Sequence, residues 1–107
     1  LGLGFNRNYP LEPPVDDARY MGVLEKALTR VRVFAPRYFV VSIGFDIMRG
    51  DPTGQFALTA QGMRQIGRRL GRIGLPTLII QEGGYSIGNL RAGSHAFFSG
   101  LENAWHG

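Results

Sequence analysis

Two short apolar runs limit the folds that this sequence can adopt. Residues 38–44 (YFVVSIG) and residues 77–81 (TLIIQ) are rich in β-branched and aromatic side chains. Such runs are typical of strands that are buried on both faces of a parallel sheet. Amphipathic segments precede, separate and follow them. The predicted fold is therefore α/β with the order α-β-α-β-α, parallel strands, right-handed crossovers and helices on the sheet faces.

Each amphipathic segment begins with residues that can cap a helix. These are Asp16 and Asp17 for the first segment, Thr59 for the second and Ser86 for the third. Apolar residues then recur at helical spacing. They are Tyr20, Leu24, Ala27, Leu28, Val31 and Phe34 in the first segment, Met63, Ile66, Leu70 and Ile73 in the second, and Ile87, Leu90, Ala96, Phe97 and Leu101 in the third.

The size and composition of the chain exclude several classes of protein. Its 107 residues suffice for one domain, and residues 1–15, with three prolines and no sustained period, are predicted to be an extended lead-in. Neither a membrane-spanning run nor a signal peptide is found, which predicts a cytoplasmic protein. The absence of cysteine excludes disulfides and thiolate-bound metals, so that carboxylates, His95 and His106 are the candidate metal ligands.

The charge of the chain permits a polyanionic partner without requiring one. Twelve basic against eight acidic residues give a net charge of +4. Arg64, Arg68 and Arg72 line up along the second predicted helix, with Arg69 beside them. Because no aromatic residues are interleaved with these arginines, we interpret the row as a solvated helix face and expect no nucleic-acid partner.

Candidate functional residues follow each predicted strand, where ligands collect in open α/β sheets. The predicted polar loop of residues 45–58 carries Asp46 and Asp51, and Glu82-Gly83-Gly84-Tyr85 comes after the second strand. A carboxylate is a good ligand for a divalent metal, and a tyrosine hydroxyl can donate to a developing oxyanion. We expect Asp46 and Tyr85 to converge across one or two strand spacings.

The same residues have ordinary structural interpretations, which spacing alone leaves open. Aspartates in a loop rich in glycine and proline, such as Asp46 and Asp51, most often satisfy turn backbone. Gly83 and Gly84 are equally typical of a tight turn, and Tyr85 of a packing residue.

Longer stretches of the sequence resemble a known family. Residues 40–70 (VVSIGFDIMRGDPTGQFALTAQGMRQIGRRL) and 74–102 (GLPTLIIQEGGYSIGNLRAGSHAFFSGLE) resemble the C-terminal part of the histone deacetylase superfamily. The lead-in, residues 2–13 (GLGFNRNYPLEP), looks most like the bacterial acetylpolyamine amidohydrolase branch. The resemblance covers nearly the whole chain and implies the three-layer α/β fold of the arginase/deacetylase family.

The resemblance also implies a zinc-dependent hydrolysis of acetylated amines, such as acetylpolyamines or acetyl-lysine. In that family an Asp and a His from an earlier strand end, together with the Asp of the GFD segment, hold the zinc. By position, Asp46 is the second zinc carboxylate and Tyr85 donates to the oxyanion. Gly83 and Gly84 let the backbone approach the substrate channel, with Glu82 in a supporting role. Asp51 is expected to stabilise its loop rather than to bind metal.

Other parts of the family pattern are missing from the sequence. No Asp-x-His motif and no His-His pair is found, and His95 and His106 are expected to be surface or packing residues. Since catalytic zinc needs about three protein ligands, we expect residues 1–107 to be the C-terminal fragment of one deacetylase-like domain, completed by a missing N-terminal portion. The alternative is a non-catalytic, truncated α/β module that self-associates, as a homo-oligomer, or pairs with another chain.

Overall fold

The order of helices and strands agrees with the sequence prediction. A computed structural model describes residues 4–106, and the side chains of residues 4–105. Its elements are α1 (Asp17–Phe34), β1 (Phe39–Ile43), a short 3-10 turn (Phe45–Ile47), α2 (Ala60–Gly71), β2 (Thr77–Gln81) and α3 (Ile87–His106). The first strand is one residue shorter at each end than residues 38–44. Within the described range, no helix is both long enough and apolar enough to cross a bilayer.

The two strands are neighbours in a parallel sheet, as predicted. Their register runs from Phe39 opposite Thr77 to Ile43 opposite Gln81. Both strands therefore end at the same level, and the two loops that follow leave the same edge of the sheet side by side.

Only one face of this sheet is covered by the described residues. Phe39, Val41 and Ile79 pack against the core, whereas Val40, Leu78 and Ile80 are 59%, 58% and 43% exposed. Within the described residues the strands are therefore buried on one face, whereas the sequence pattern predicts burial on both. Apolar side chains occupy both faces, so the sequence pattern cannot tell which face the helices cover.

The predicted caps begin the three helices. Asp16, Thr59 and Ser86 each accept a hydrogen bond from the backbone N–H three residues further on, at 2.9, 3.1 and 3.3 Å. Asp17 has a different role, because its carboxylate accepts from both the backbone N–H and the hydroxyl of Thr59. The first turn of α1 thereby holds the start of α2.

The helices α2 and α3 pack with their backbones in close contact. A Cβ at Gly67 of α2 would collide with the Phe97 carbonyl, and one at Gly100 of α3 with the Arg64 carbonyl. Residues from all three helices, the strands and the loops form one core. Its buried members are Val15, Leu28, Ile43, Phe45, Met48, Leu58, Met63, Ile66, Leu70, Ala96 and Phe97.

The segment of residues 45–58 is less polar than predicted. Phe45, Met48 and Leu58 are buried in the core, and Met48 and Leu58 pair as an isolated parallel bridge. The end of the lead-in is held against this segment, since the Ala57 N–H donates to the Val15 carbonyl. This packing fixes the loop that carries Asp46 and Asp51.

Two residues that helical spacing assigned to apolar faces point away from the core. Phe34 and Ile87 are 66% and 85% exposed. Each lies at an end of its helix.

Candidate functional site

Asp46 lies in the 3-10 turn directly after β1, and two glycines make room for its carboxylate. A Cβ at Gly44 would lie 2.6 Å from Asp46 Oδ1, and a Cβ at Gly83 would lie 2.5 Å from Oδ2. The side chain is half-buried, and none of the described residues donates a hydrogen bond to its carboxylate. Both oxygens are therefore available to a ligand.

Asp51 is the buried charged residue of the site, with 7% of its surface exposed. Its Oδ1 accepts from the Thr53 N–H and hydroxyl, both at 2.8 Å, and from the Gly54 N–H at 3.1 Å. Its Oδ2 accepts from the Tyr85 N–H at 2.8 Å. Burial alone would raise the pKa of the Asp51 carboxyl, but these hydrogen bonds together hold that pKa below its ordinary value. Asp51 stabilises its loop, as expected from the sequence.

The segment after β2 carries Tyr85 at its exposed end. The Glu82 N–H donates to the Ile43 carbonyl at 2.8 Å, which extends the strand pairing by one residue, while the Glu82 side chain is exposed. Gly84 has a φ of 139°, a conformation that favours glycine. The Tyr85 side chain is 62% exposed, so it does not have the buried packing role that was the alternative interpretation.

Two hydrogen bonds join the two loops, and a third joins the first loop to α3. In addition to the bond from Tyr85 to Asp51, the Phe45 N–H donates to the Gly83 carbonyl at 2.8 Å, and the Asn89 amide donates to the Arg49 carbonyl at 2.7 Å. Sequence reasoning missed the Asn89 bond and the partner of Asp51. The GDPTG segment predicts an aspartate-capped turn, but no local pattern predicts a partner 34 residues away.

The described residues do not form a complete metal site. No group of three or more His, Cys, Asp or Glu residues within the described range could hold a metal ion. His95 is exposed on α3, and the side chain of His106 lies outside the described residues. The cradle around Asp46 fits the contribution of one carboxylate to a divalent ion, and the other ligands of a catalytic zinc would have to come from elsewhere.

The basic row on α2 is partly neutralised. Arg68 and Arg72 are exposed and Arg64 is half-buried, whereas Arg69 forms an ion pair with Glu25 of α1 at 2.5 Å. The described part of α2 carries no aromatic residue in this row, but Trp105 of α3, which is 52% exposed, lines a surface pocket together with Arg68 and Arg72.

The GFD turn and the EGGY segment lie at one edge of the sheet. Comparison of the sequence with known protein families gives the family of the chain. Residues 1–101 match the histone deacetylase domain. The chain belongs to the histone deacetylase family. The family resemblance expected from the sequence is therefore confirmed.

Individual members of the family are similar to this chain over nearly its whole length. An acetylpolyamine amidohydrolase of Burkholderia pseudomallei is 42% identical over 100 residues, which cover 94% of this chain and 29% of that protein. Acetylpolyamine amidohydrolase 1 of Pseudomonas aeruginosa is 36% identical over 103 residues, covering 96% and 30%. The chain thus spans about 30% of the length of these curated relatives.

Solved structures show the same fold. The crystal structure of acetylpolyamine aminohydrolase from Burkholderia pseudomallei superposes with a TM-score of 0.92 at 41% identity, covering 96% of this chain and 30% of that one. The histone deacetylase Clr3 gives a TM-score of 0.85 at 30% identity, covering 95% and 18%. The α/β architecture of this chain is that of a minor part of these deacetylases.

Proposed function

We propose that this chain supplies Asp46 and Tyr85 to the site of a zinc-dependent deacetylase that hydrolyses acetylated amines, either acetylpolyamines or acetyl-lysine. The observation that carries the proposal is the contact between the two loops. The Asp46 carboxylate lies against Gly83, two residues before Tyr85. Membership of the histone deacetylase family and the similarity to acetylpolyamine amidohydrolases support the choice of substrate class.

The two residues would have different roles in amide hydrolysis. Asp46 would be one of the zinc ligands, and bound zinc would supply Lewis acidity and an activated water. The Tyr85 hydroxyl would donate a hydrogen bond to the amide oxygen as negative charge develops on it. Gly83 and Gly84 carry no side chain that would obstruct the substrate, and Glu82 supports the end of β2 through its backbone bond to Ile43.

The proposal requires that the other zinc ligands and the proton-transfer groups come from outside these 107 residues. We propose that residues 1–107 are the C-terminal portion of a single deacetylase-like domain, with residues 1–15 as its lead-in. The match to about 30% of the length of the relatives supports this assignment.

Substitution of Asp46 and Tyr85 tests the proposal in the protein that contains this chain, loaded with zinc. Hydrolysis of an N-acetylated polyamine and of an acetyl-lysine peptide is measured together with zinc content. We expect Asp46→Ala to lose both zinc and activity, because it removes a ligand. Tyr85→Phe should keep its zinc and lose about 100-fold or more in kcat, because it removes one oxyanion donor.

Tyr38→Phe is the matched control. Tyr38 is 74% exposed and precedes β1, at the opposite end of the strands from the two loops. It should retain both zinc and activity. Full activity of Asp46→Ala and Tyr85→Phe would overturn the proposal.

A second candidate function is that of a non-catalytic module that self-associates or pairs with another chain. The exposed apolar side chains of Val40, Leu78 and Ile80 on one face of the sheet favour it. Light scattering distinguishes the two cases, since this function requires assembly that increases with concentration. A monomer at high concentration, with amidohydrolase activity, excludes it.

A further inference from the structure

The Asp51 carboxylate connects the two loops of the candidate site. Its Oδ1 is saturated by three donors from its own turn, the N–H and hydroxyl of Thr53 and the N–H of Gly54. Its Oδ2 points to the other loop and accepts the Tyr85 N–H at 2.8 Å. A hydrogen bond from an N–H to a buried carboxylate is stronger than one between neutral groups.

The N-cap Ser86 of α3 anchors the chain directly after Tyr85, and few other contacts hold Tyr85 on the side of β2. Its ring is 62% exposed, so packing does not hold the side chain. The two preceding residues are glycines, which restrict the backbone least. On the side of β2, the next hydrogen bond between the two loops is two residues before Tyr85. It runs from the Phe45 N–H to the Gly83 carbonyl. The backbone of Tyr85 itself is thus held by Asp51 of the neighbouring loop.

We propose that Asp51 is a positioning residue for Tyr85, which fixes the backbone from which the phenol reaches the substrate. Asp51 touches neither substrate nor metal in this role, and it acts only through Tyr85. The effect on catalysis rests on the function proposed above, whereas the effect on the Tyr85 backbone does not.

Asp51→Asn distinguishes the roles of the two carboxylate oxygens. Three donors converge on Oδ1, so the amide oxygen of asparagine should remain there and preserve the turn. Its NH₂ group then takes the place of Oδ2 and faces the Tyr85 N–H, donor against donor. Thr53→Val is the matched control, since it removes one donor to Oδ1 and leaves the bond to Tyr85 intact.

The first measurement is hydrogen exchange of the Tyr85 amide, which needs no enzymatic activity. In the unsubstituted protein this amide should be protected although it lies outside helices and strands. Asp51→Asn should accelerate its exchange about tenfold, whereas Thr53→Val should not. An unprotected Tyr85 amide in the unsubstituted protein would overturn the proposal without any variant, even if Asp51→Asn does not fold.

The second measurement is a double-mutant cycle on the zinc-loaded enzyme. Asp51→Asn should lower kcat by about 10- to 100-fold through misplacement of the phenol, with zinc content and KM little changed. In the Tyr85→Phe background the same substitution should change kcat by less than about twofold, because the hydroxyl that it positions is already absent.

The outcomes separate the two proposals. An equal loss of kcat with and without the Tyr85 hydroxyl would show a general structural role and overturn the positioning role. A protein that lacks amidohydrolase activity, but whose Tyr85 amide is released by Asp51→Asn, would refute the proposed function and support the positioning of the Tyr85 backbone.

Discussion

At Gly83 the space that a side chain would occupy is taken by the carboxylate of Asp46. The backbone of Gly83 does not adopt a positive φ, so an alanine is compatible with its conformation. A methyl group there would displace the end of the Asp46 side chain, which can move, and would leave the backbone of the fold in place. Gly83 therefore determines where the Asp46 carboxylate can lie.

We expect Gly83→Ala to weaken zinc binding by about tenfold, because the added methyl group would displace the Asp46 carboxylate that we propose as a ligand. Loss of a contact that orients a metal ligand has an effect of this size. Zinc retention in competition with a chelator measures this effect, and the melting temperature should change little. Gly88→Ala is the control, since no atom lies within 4 Å of its Cβ position. Equal zinc retention by the two variants would argue against Asp46 as a ligand.

At the scale of elements, the contact between α2 and α3 depends on glycine. Around Gly67 the atoms that a Cβ would meet belong to the backbone of α3, which cannot move as a side chain can. An added methyl group must therefore push the two helices apart.

Gly67→Ala should destabilise the protein by about 3 kcal/mol through overpacking. Gly22→Ala, in the middle of α1 with no atom within 4 Å of its Cβ position, should instead stabilise it by about 0.5–1 kcal/mol, because alanine loses less backbone entropy in a helix. Chemical denaturation measures both. A neutral Gly67→Ala would contradict the close approach of the helices.

The elements that the sequence predicted correctly are those determined by local contacts. Caps such as Thr59 act within three residues, and the apolar runs of the strands are continuous in the sequence. The hydrogen bonds from Thr59 to Asp17 and the burial of Met48 depend on partners far along the chain, so no local pattern could predict them. Asp46 and Tyr85 are candidates because each follows a predicted strand, and family resemblance supplies their expected roles. The partner of Asp51, in contrast, is found only in the folded chain.

For the molecule as a whole, the ionisation of Asp51 makes the free energy of unfolding depend on pH in the acid range. Its pKa in the folded state lies below the ordinary value, which is about 3.9 for an unfolded chain. A lowered pKa means that the folded state prefers the charged carboxylate. Asp51 thus contributes stability above the unfolded pKa and loses it as the pH falls through the folded value.

We expect the free energy of unfolding to decrease as the pH falls below about 4. Asp51→Asn should be less stable than the unsubstituted protein near neutral pH, and the difference should shrink on acidification. Urea unfolding at a series of pH values measures it, with Glu102→Gln, an exposed carboxylate on α3, as the control. A difference that stays constant with pH would show that Asp51 does not cause this dependence.

Because β1 and β2 end at the same level, insertions and deletions are restricted in chains with this fold. Because Ile43 stands opposite Gln81, one residue inserted into either strand would shift one loop against the other by about 3.3 Å and reverse the side chains beyond it. Asp46 would then move away from Gly83. Insertions and deletions compatible with the site are therefore expected outside the strands and the site loops, at exposed positions such as Arg37 and Gly74.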